Sequence, residues 1–173
     1  MKAKELDRLL IRIAEGDNLA FEQLYINTRR GVYAFLYTYY HNPADTEDGM
    51  QSVYLNIKKG IHTYRAGSNP SAWILQIAKN WAYNDLRKKK REIPTEEMKE
   101  PSYEYEGGRG EITELMERIL TEEEQRIVTL HVIWEYKHRE IAEMLGCPTG
   151  TITSKYKRSI EKLKKTLKEE KRQ

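Results

Sequence analysis

With 173 residues, 39% of them hydrophobic and 33% charged, the chain has the length for one medium domain or two small ones and too little for a large catalytic barrel. Its mean hydropathy of −0.81 is that of a chain with apolar residues confined to narrow helix stripes. With no apolar run near the roughly 20 residues of a membrane helix and no apolar signal segment at its start, it is expected in the cytoplasm, without membrane insertion. The net charge of +3 is a sum of opposed blocks, +6 over 1–91, −9 over 92–135 and +6 over 136–173. The basic side chains bunch at Arg87 to Arg91 and from Lys155 onward, the footprint of two nucleic-acid contacts on one chain.

In chain order, the spacing of Leu6, Leu9, Leu10 and Ile13 predicts a short amphipathic helix. Phe21, Leu24, Tyr25, Thr28, Val32, Phe35, Leu36 and Tyr39 predict a long one. Asn42-Pro43 breaks it, Asp45 is the expected cap of a third helix, and Met50, Val53, Tyr54, Ile57 and Ile61 supply that helix's stripe. The carboxylates of Asp45 and Asp48, with Gln51 after them, stand at its start, where the helix dipole favours negative charge. A loop from His62 to Asn69 leads to Pro70 in the first turn of a fourth helix, whose Trp73, Ile74, Ile77, Ala78 and Trp81 are expected in a core.

Around this loop and helix, cations sit beside aromatic and amide side chains: Tyr64 and Arg65, then Lys79, Asn80, Tyr83, Asn84, Arg87 and Lys88. A cationic groove tracks phosphate, a ring stacks on an unpaired base, and Asn reads a base edge, so this pattern suits single-stranded DNA. The tryptophans are assigned to the core and left out of that set.

Residues 92–110 carry Pro94, Pro101, scattered Glu and Glu106 to Gly110 without an apolar stripe, and are read as an acidic linker. Helical spacing resumes with Ile112, Leu115, Met116 and Ile119, and Thr121 with Glu124 forms a capping box ahead of Ile127, Leu130, His131 and Trp134. A short helix with Ile141, Ala142 and Leu145 stops at Gly146. After Cys147 and Pro148, a last helix places Ile152, Tyr156, Ile160, Leu163 and Leu167 inward. That is the helix-turn-helix plan, in which the second helix lies in a major groove. Thr149, Thr151, Thr153 and Ser154 would offer hydroxyls, and Lys155, Lys157 and Arg158 charge, all on the outward face.

Catalytic signals are lacking. Glu106 to Gly110 has no Lys-Ser/Thr of a phosphate loop, Asp85 alone is no metal-binding carboxylate cluster, and His41, His62, His131 and His138 have no ligand spacing with the single Cys147. No enzyme, no cofactor and no metal are expected.

The order of these segments resembles a bacterial RNA polymerase sigma factor of the small extracytoplasmic-function group. Asp45-Thr-Glu-Asp-Gly-Met-Gln51-Ser-Val-Tyr54 is similar to the family's core-binding stretch, and Ala72 to Asn80 followed by Asp85 to Arg91 to its promoter-melting helix. Arg139 to Gly146 with Pro148 to Lys155 resembles its carboxy-terminal helix-turn-helix.

The resemblance implies an all-α protein of two small domains, 1–91 and 111–173, and a role as a non-catalytic specificity subunit with core RNA polymerase and promoter DNA as partners. It brings in an anti-sigma factor as a further candidate partner. By position it implies that Asp45, Asp48 and Gln51 face polymerase and that the loop with Tyr64, Arg65, Ser68 and Asn69 cradles a flipped base of the minus-ten strand. Lys79, Asn80, Tyr83, Asn84, Arg87 and Lys88 would line the melted strand, and Thr149, Thr151, Thr153, Ser154, Lys155, Lys157 and Arg158 would meet the minus-thirty-five duplex.

The chain departs from the family's pattern at four places. Gly49 replaces a large apolar residue, Ser52 an acidic one, Pro70 an aromatic and Thr153 a cation. The alternative is a stand-alone helix-turn-helix regulator with an N-terminal sensing or partner-binding domain.

Overall fold

The computed structural model describes residues 3–92 and 111–170, so the expected linker lies, past its first residue, outside the described residues. The described residues hold eight α-helices and one short 3-10 turn, with no strand, as an all-α fold requires. The chain divides into two units, Met1–Tyr103 and Glu104–Gln173.

In the first unit, α1 (Ala3–Ala14) buries Leu6, Leu9, Leu10 and Ile13, the stripe read from its spacing. It ends in a turn at Gly16, and Asp17 caps α2 (Asn18–Tyr40) by accepting from the Ala20 N–H at 3.1 Å while Arg12 clasps the same carboxylate at 2.6 Å. α3 (Pro43–Gly60) runs back along α2. Their shared core holds Tyr54, whose hydroxyl donates to Thr28 Oγ1 at 2.7 Å, because the Thr28 proton is already given to the Leu24 carbonyl at 2.7 Å.

The cap of α3 corrects one expectation. Asn42, not Asp45, accepts at the helix start, from the Asp45 N–H at 3.1 Å. Pro43 takes the first helical position beside it, and Asp45, a turn further on, points to another helix.

A 3-10 turn, Ile61–Thr63, takes Ile61 out of the α3 stripe, and a loop leads to α4 (Pro70–Glu92). Asn69 caps α4, its side chain accepting from the Ala72 N–H at 3.0 Å, with Pro70 buried behind it. The α4 core face is a second correction: Ile74, Leu75, Ala78 and Ala82 are buried, whereas Trp73, Ile77 and Trp81 are only half-buried. α4 packs on α1, α2 and α3 together, so small and branched side chains occupy the close approaches and the indoles are displaced to the edge.

In the second unit, α5 (Glu111–Ile119), α6 (Glu122–Val132) and α8 (Thr149–Glu170) enclose Leu115, Leu120, Val128 and Leu163, against which Tyr156, Ile160 and Leu167 pack, and α7 (His138–Leu145) buries Ile141 and Ala142 as it packs on α6 and α8. The capping box is present: Glu124 N–H donates to Thr121 Oγ1 at 3.3 Å and Thr121 N–H to Glu124 Oε2 at 3.0 Å. Gly146 closes α7 at φ 68°, a left-handed conformation that glycine adopts without strain, and the Cys147 N–H then reaches the Ala142 carbonyl at 3.0 Å. This turn sets α8 across α7.

Candidate nucleic-acid interfaces

Three surfaces carry the residues singled out in the sequence, two on the first unit and one on the second.

On α3, Asp48 and Gln51 are exposed at three-residue spacing, and Leu55, 58% exposed, extends the same ridge by one turn. Leu55 escaped the sequence reading, though an apolar residue off the core stripe was a visible signal. Asp45 does not join this ridge as an available acceptor. Its carboxylate lies 2.5 Å from the Lys89 ammonium on α4, with Asp85 3.4 Å away on the other side. Burial works against the Lys89 charge, but the hydrogen bond and charge of Asp45, with Asp85 behind them, outweigh it and hold the ammonium above its ordinary value. Asp45 thus ties the start of α3 to the end of α4.

On α4, Asn80, Tyr83, Asn84, Arg87 and Lys88 are all exposed at three- and four-residue steps, on the side turned away from Ile74 and Ala78. Lys79 is half-buried on the flank. Tyr83 is 57% exposed, and its ring meets that of Tyr39 in a T-shaped contact at 5.8 Å, which anchors one side while much of the residue stays open to solvent. Gln76 Nε2 donates to Asn80 Oδ1 at 2.8 Å and orients that amide. By the 100° step of the helix, the half-buried Trp73 and Trp81 border this stripe, and Trp81, seven residues from buried Ile74, lies between the stripe and the core.

The loop before α4 is built around Asp7 of α1. One oxygen of its carboxylate accepts from Tyr64 Oη at 2.5 Å and from the Gly67 N–H at 2.9 Å. The Tyr64 ring stands edge-on to Trp73 at 5.3 Å, Ser68 N–H closes a turn onto the Arg65 carbonyl at 3.1 Å, and Gly67 takes φ 77°. Arg65 and Ser68 remain exposed, whereas the Asn69 side-chain oxygen serves the α4 cap and the Tyr64 hydroxyl serves Asp7.

On α8, Thr149, Ser154, Lys157 and Arg158 are exposed, with Thr151 half-buried. Lys155 is a correction to the outward set. It turns back to α6 and pairs with Glu123, leaving its side chain 26% exposed. Lys162, two turns on, does the same with Glu124 at 2.9 Å. Burial would raise the Glu124 carboxyl, but the Thr121 amide and the Lys162 ammonium outweigh it and hold it below its ordinary value.

Thr153 is also engaged. Its hydroxyl donates to the Thr149 carbonyl at 3.0 Å, so it accepts from His138 Nδ1–H at 3.1 Å. That leaves His138 Nε2 as a buried acceptor among the rings of His131, 4.7 Å away, and Tyr156, 5.0 Å away. Desolvation, with His131 beside it, depresses the His138 pKa, and the ring acts as a neutral spacer between α7 and α8.

Chemically these surfaces can bind and orient; among the described residues no group of three metal-ligating side chains exists.

Residues 24–92 match the family model Sigma-70 region 2, and residues 109–163 match Sigma-70, region 4. The RNA polymerase sigma-H factor of Pseudomonas aeruginosa is 24% identical, with 96% of this chain and 96% of that protein covered. The ECF RNA polymerase sigma-E factor of Escherichia coli is 27% identical, with 93% of this chain and 94% of that protein covered.

Among solved structures, the sigma factor RpoE in complex with the anti-sigma factor NepR from Bartonella quintana superposes with a TM-score of 0.64 at 22% identity, over 86% of this chain and 96% of that one. CnrH in complex with the cytosolic domain of CnrY gives 0.63 at 15% identity, over 95% and 97%. At these identities the two structures show the fold alone.

Proposed function

The chain belongs to the extracytoplasmic-function group of RNA polymerase sigma factors, and on that footing we propose how its surfaces divide the work. A sigma factor binds core RNA polymerase and directs promoter recognition, DNA melting and transcription initiation. The stand-alone regulator is not favoured, because the region 2 and region 4 models match in order along one chain.

Here the α3 ridge of Asp48, Gln51 and Leu55 docks on polymerase. The outward stripe of α4, with the 64–68 loop, captures the melted minus-ten strand. The α8 face of Thr149, Ser154, Lys157 and Arg158 reads the minus-thirty-five duplex, with domain limits of 1–91 and 111–173. The protein catalyses no reaction itself and works in the cytoplasm; no described helix is long and apolar enough to cross a membrane. An anti-sigma protein is a proposed further partner, by analogy with the RpoE complex.

The observation that carries this reading is the α4 stripe. Two amides, an exposed tyrosine and two cations lie on one exposed side, an arrangement that serves unpaired bases and phosphate and touches the core only where Tyr83 meets Tyr39.

Polymerase docking separates a sigma factor from a regulator. Asp48→Ala with Gln51→Ala is expected to weaken core polymerase binding by about tenfold or more, since exposed residues central to an interface can each contribute about 2 kcal/mol. Fluorescence titration of labelled protein with core polymerase reads this directly. Unchanged affinity would detach the α3 ridge from docking.

The duplex face has its own test. Lys157→Ala with Arg158→Ala should flatten the salt dependence of minus-thirty-five duplex binding by about 0.9 in log–log slope per lost phosphate contact. Glu123→Gln should act oppositely, because releasing Lys155 adds a cation, and the slope steepens by about the same step. Anisotropy titrations across a salt series, using a promoter selected by the wild-type holoenzyme from a randomised pool, measure both. Parallel slopes for all three proteins would mean that these side chains point away from DNA.

A further inference from the structure

We infer that Asp7, on α1, is a positioning residue for promoter-strand capture: its carboxylate shapes the 64–68 loop that receives the unpaired base. The inference rests on the reading of that loop as a base-holding element and adds a residue outside the family-like segments.

An anionic side chain beside a DNA-binding loop lowers affinity for a polyanion, so its presence calls for a compensating role. The geometry supplies one. Both the Tyr64 hydroxyl and the Gly67 amide donate to the same Asp7 oxygen, at 2.5 and 2.9 Å, across 57 and 60 residues of chain. These bonds fasten the loop at both sides of its turn. The hydroxyl first, and the amide second, hold the Asp7 carboxyl below its ordinary value, so it stays ionised at neutral pH. Burial and Asp7 together push the Tyr64 hydroxyl up to about 12, so it remains a donor.

Between the fastened loop and α1 lies an open cleft of about 450 Å³, whose lining includes Lys4, Asp7, Arg8, Gly67, Ser68 and Pro70. Lys4 and Arg8 lie one helical turn apart in its lining, where their charge suits the phosphate next to a captured base. Without Asp7, the loop retains its Ser68 turn but loses these two bonds to α1, and ordering it then weighs against base capture.

The test uses holoenzyme and a promoter selected by the wild type from a randomised pool, scanned with single abasic sites along the non-template minus-ten strand. In the wild type one abasic position is expected to cost about tenfold in affinity, the scale of one stacked base. Asp7→Ala should lose about tenfold on intact DNA and lose its sensitivity to that abasic site. Asp7→Asn keeps an oxygen that accepts both bonds and should retain most of the sensitivity, a rescue that removal of charge alone would not give.

If Asp7→Ala and Asp7→Asn both bind more tightly and both keep the abasic penalty, Asp7 acts only through its charge and the inference is overturned. If no abasic position matters even in the wild type, the base-capture reading fails first and the inference with it. Should Asp7→Ala unfold, Tyr64→Phe removes one of the two bonds while keeping the ring on Trp73, and a wild-type abasic profile in that variant overturns the inference equally.

Discussion

Holoenzyme carrying Asn80→Ala, Tyr83→Ala and Asn84→Ala together is expected to open its promoter on the order of a hundredfold more slowly than wild type. Loss of one stacked base costs about 1–3 kcal/mol and each lost amide contact about 0.5–1.5, so roughly 3 kcal/mol in total is a moderate sum, and about 1.4 kcal/mol is tenfold. Folding should change far less. All three side chains are exposed, and the contacts removed include the T-shaped pair of Tyr83 with Tyr39 at 5.8 Å and the exposed Gln76–Asn80 hydrogen bond. An aromatic pair contributes about 0.5–1.5 kcal/mol, and a ring that is 57% exposed sits at the low end.

The defect should also be insensitive to salt, because Arg87 and Lys88 stay in place. Stopped-flow fluorescence of 2-aminopurine in the minus-ten strand gives the opening rate, and thermal melting the stability. Opening at the wild-type rate would remove the α4 stripe from strand capture. A slow variant whose melting temperature has also collapsed would return Tyr83 to a structural role.

Features of this fold set by neighbours in sequence were legible before the structure, and those set by neighbours in space were not. The Thr121–Glu124 capping box, the Gly146 stop and the α1 stripe depend on residues within a turn or two, and each sits where its spacing placed it. Asn42 and Asp45 are both competent caps, and which one serves depended on where Pro43 began the helix. Periodicity also located the outward side of α4 only in part. It grouped Trp73, Ile77 and Trp81 with the core because they are apolar, whereas the three-sided packing of α4 selected Ile74, Leu75, Ala78 and Ala82.

Charges were the least legible. Lys155 and Asp45 have the types and positions of contact residues, but Glu123 lies 32 residues from the first and Lys89 44 from the second. Nothing local announces such pairs. Asp7 is the extreme case, since its partners are a tyrosine and a backbone amide in a distant loop.

Gly49→Leu, which restores the large apolar residue common at this place in the family, is expected to destabilise the first unit by about 2 kcal/mol, or lower its melting temperature by about 10 °C. Two effects compete. Replacing a mid-helix glycine with a good helix former contributes up to about 1 kcal/mol. Against it, a Cβ at position 49 would stand 2.7 Å from Tyr40 Cε2, with the Tyr40 hydroxyl and Cζ at 3.2 and 3.3 Å. The ring has little room to yield: Tyr40 is 9% exposed, and the Lys89 ammonium lies 5.3 Å from its centroid. Overpacking a fixed ring costs about 1–3 kcal/mol, and leucine adds three carbons beyond the Cβ that already clashes, so the steric cost wins.

The departure at Gly49 is therefore matched by Tyr40, whose ring fills the space that a side chain at 49 would take. A double-mutant cycle in urea or by thermal melting tests this pairing. Tyr40→Ala opens a cavity and destabilises on its own, but combined with Gly49→Leu it should be more stable than the two losses added, with a coupling of about 1–2 kcal/mol. Additive losses, or a Gly49→Leu variant that melts with the wild type, would show that the Tyr40 ring is not what keeps position 49 without a side chain.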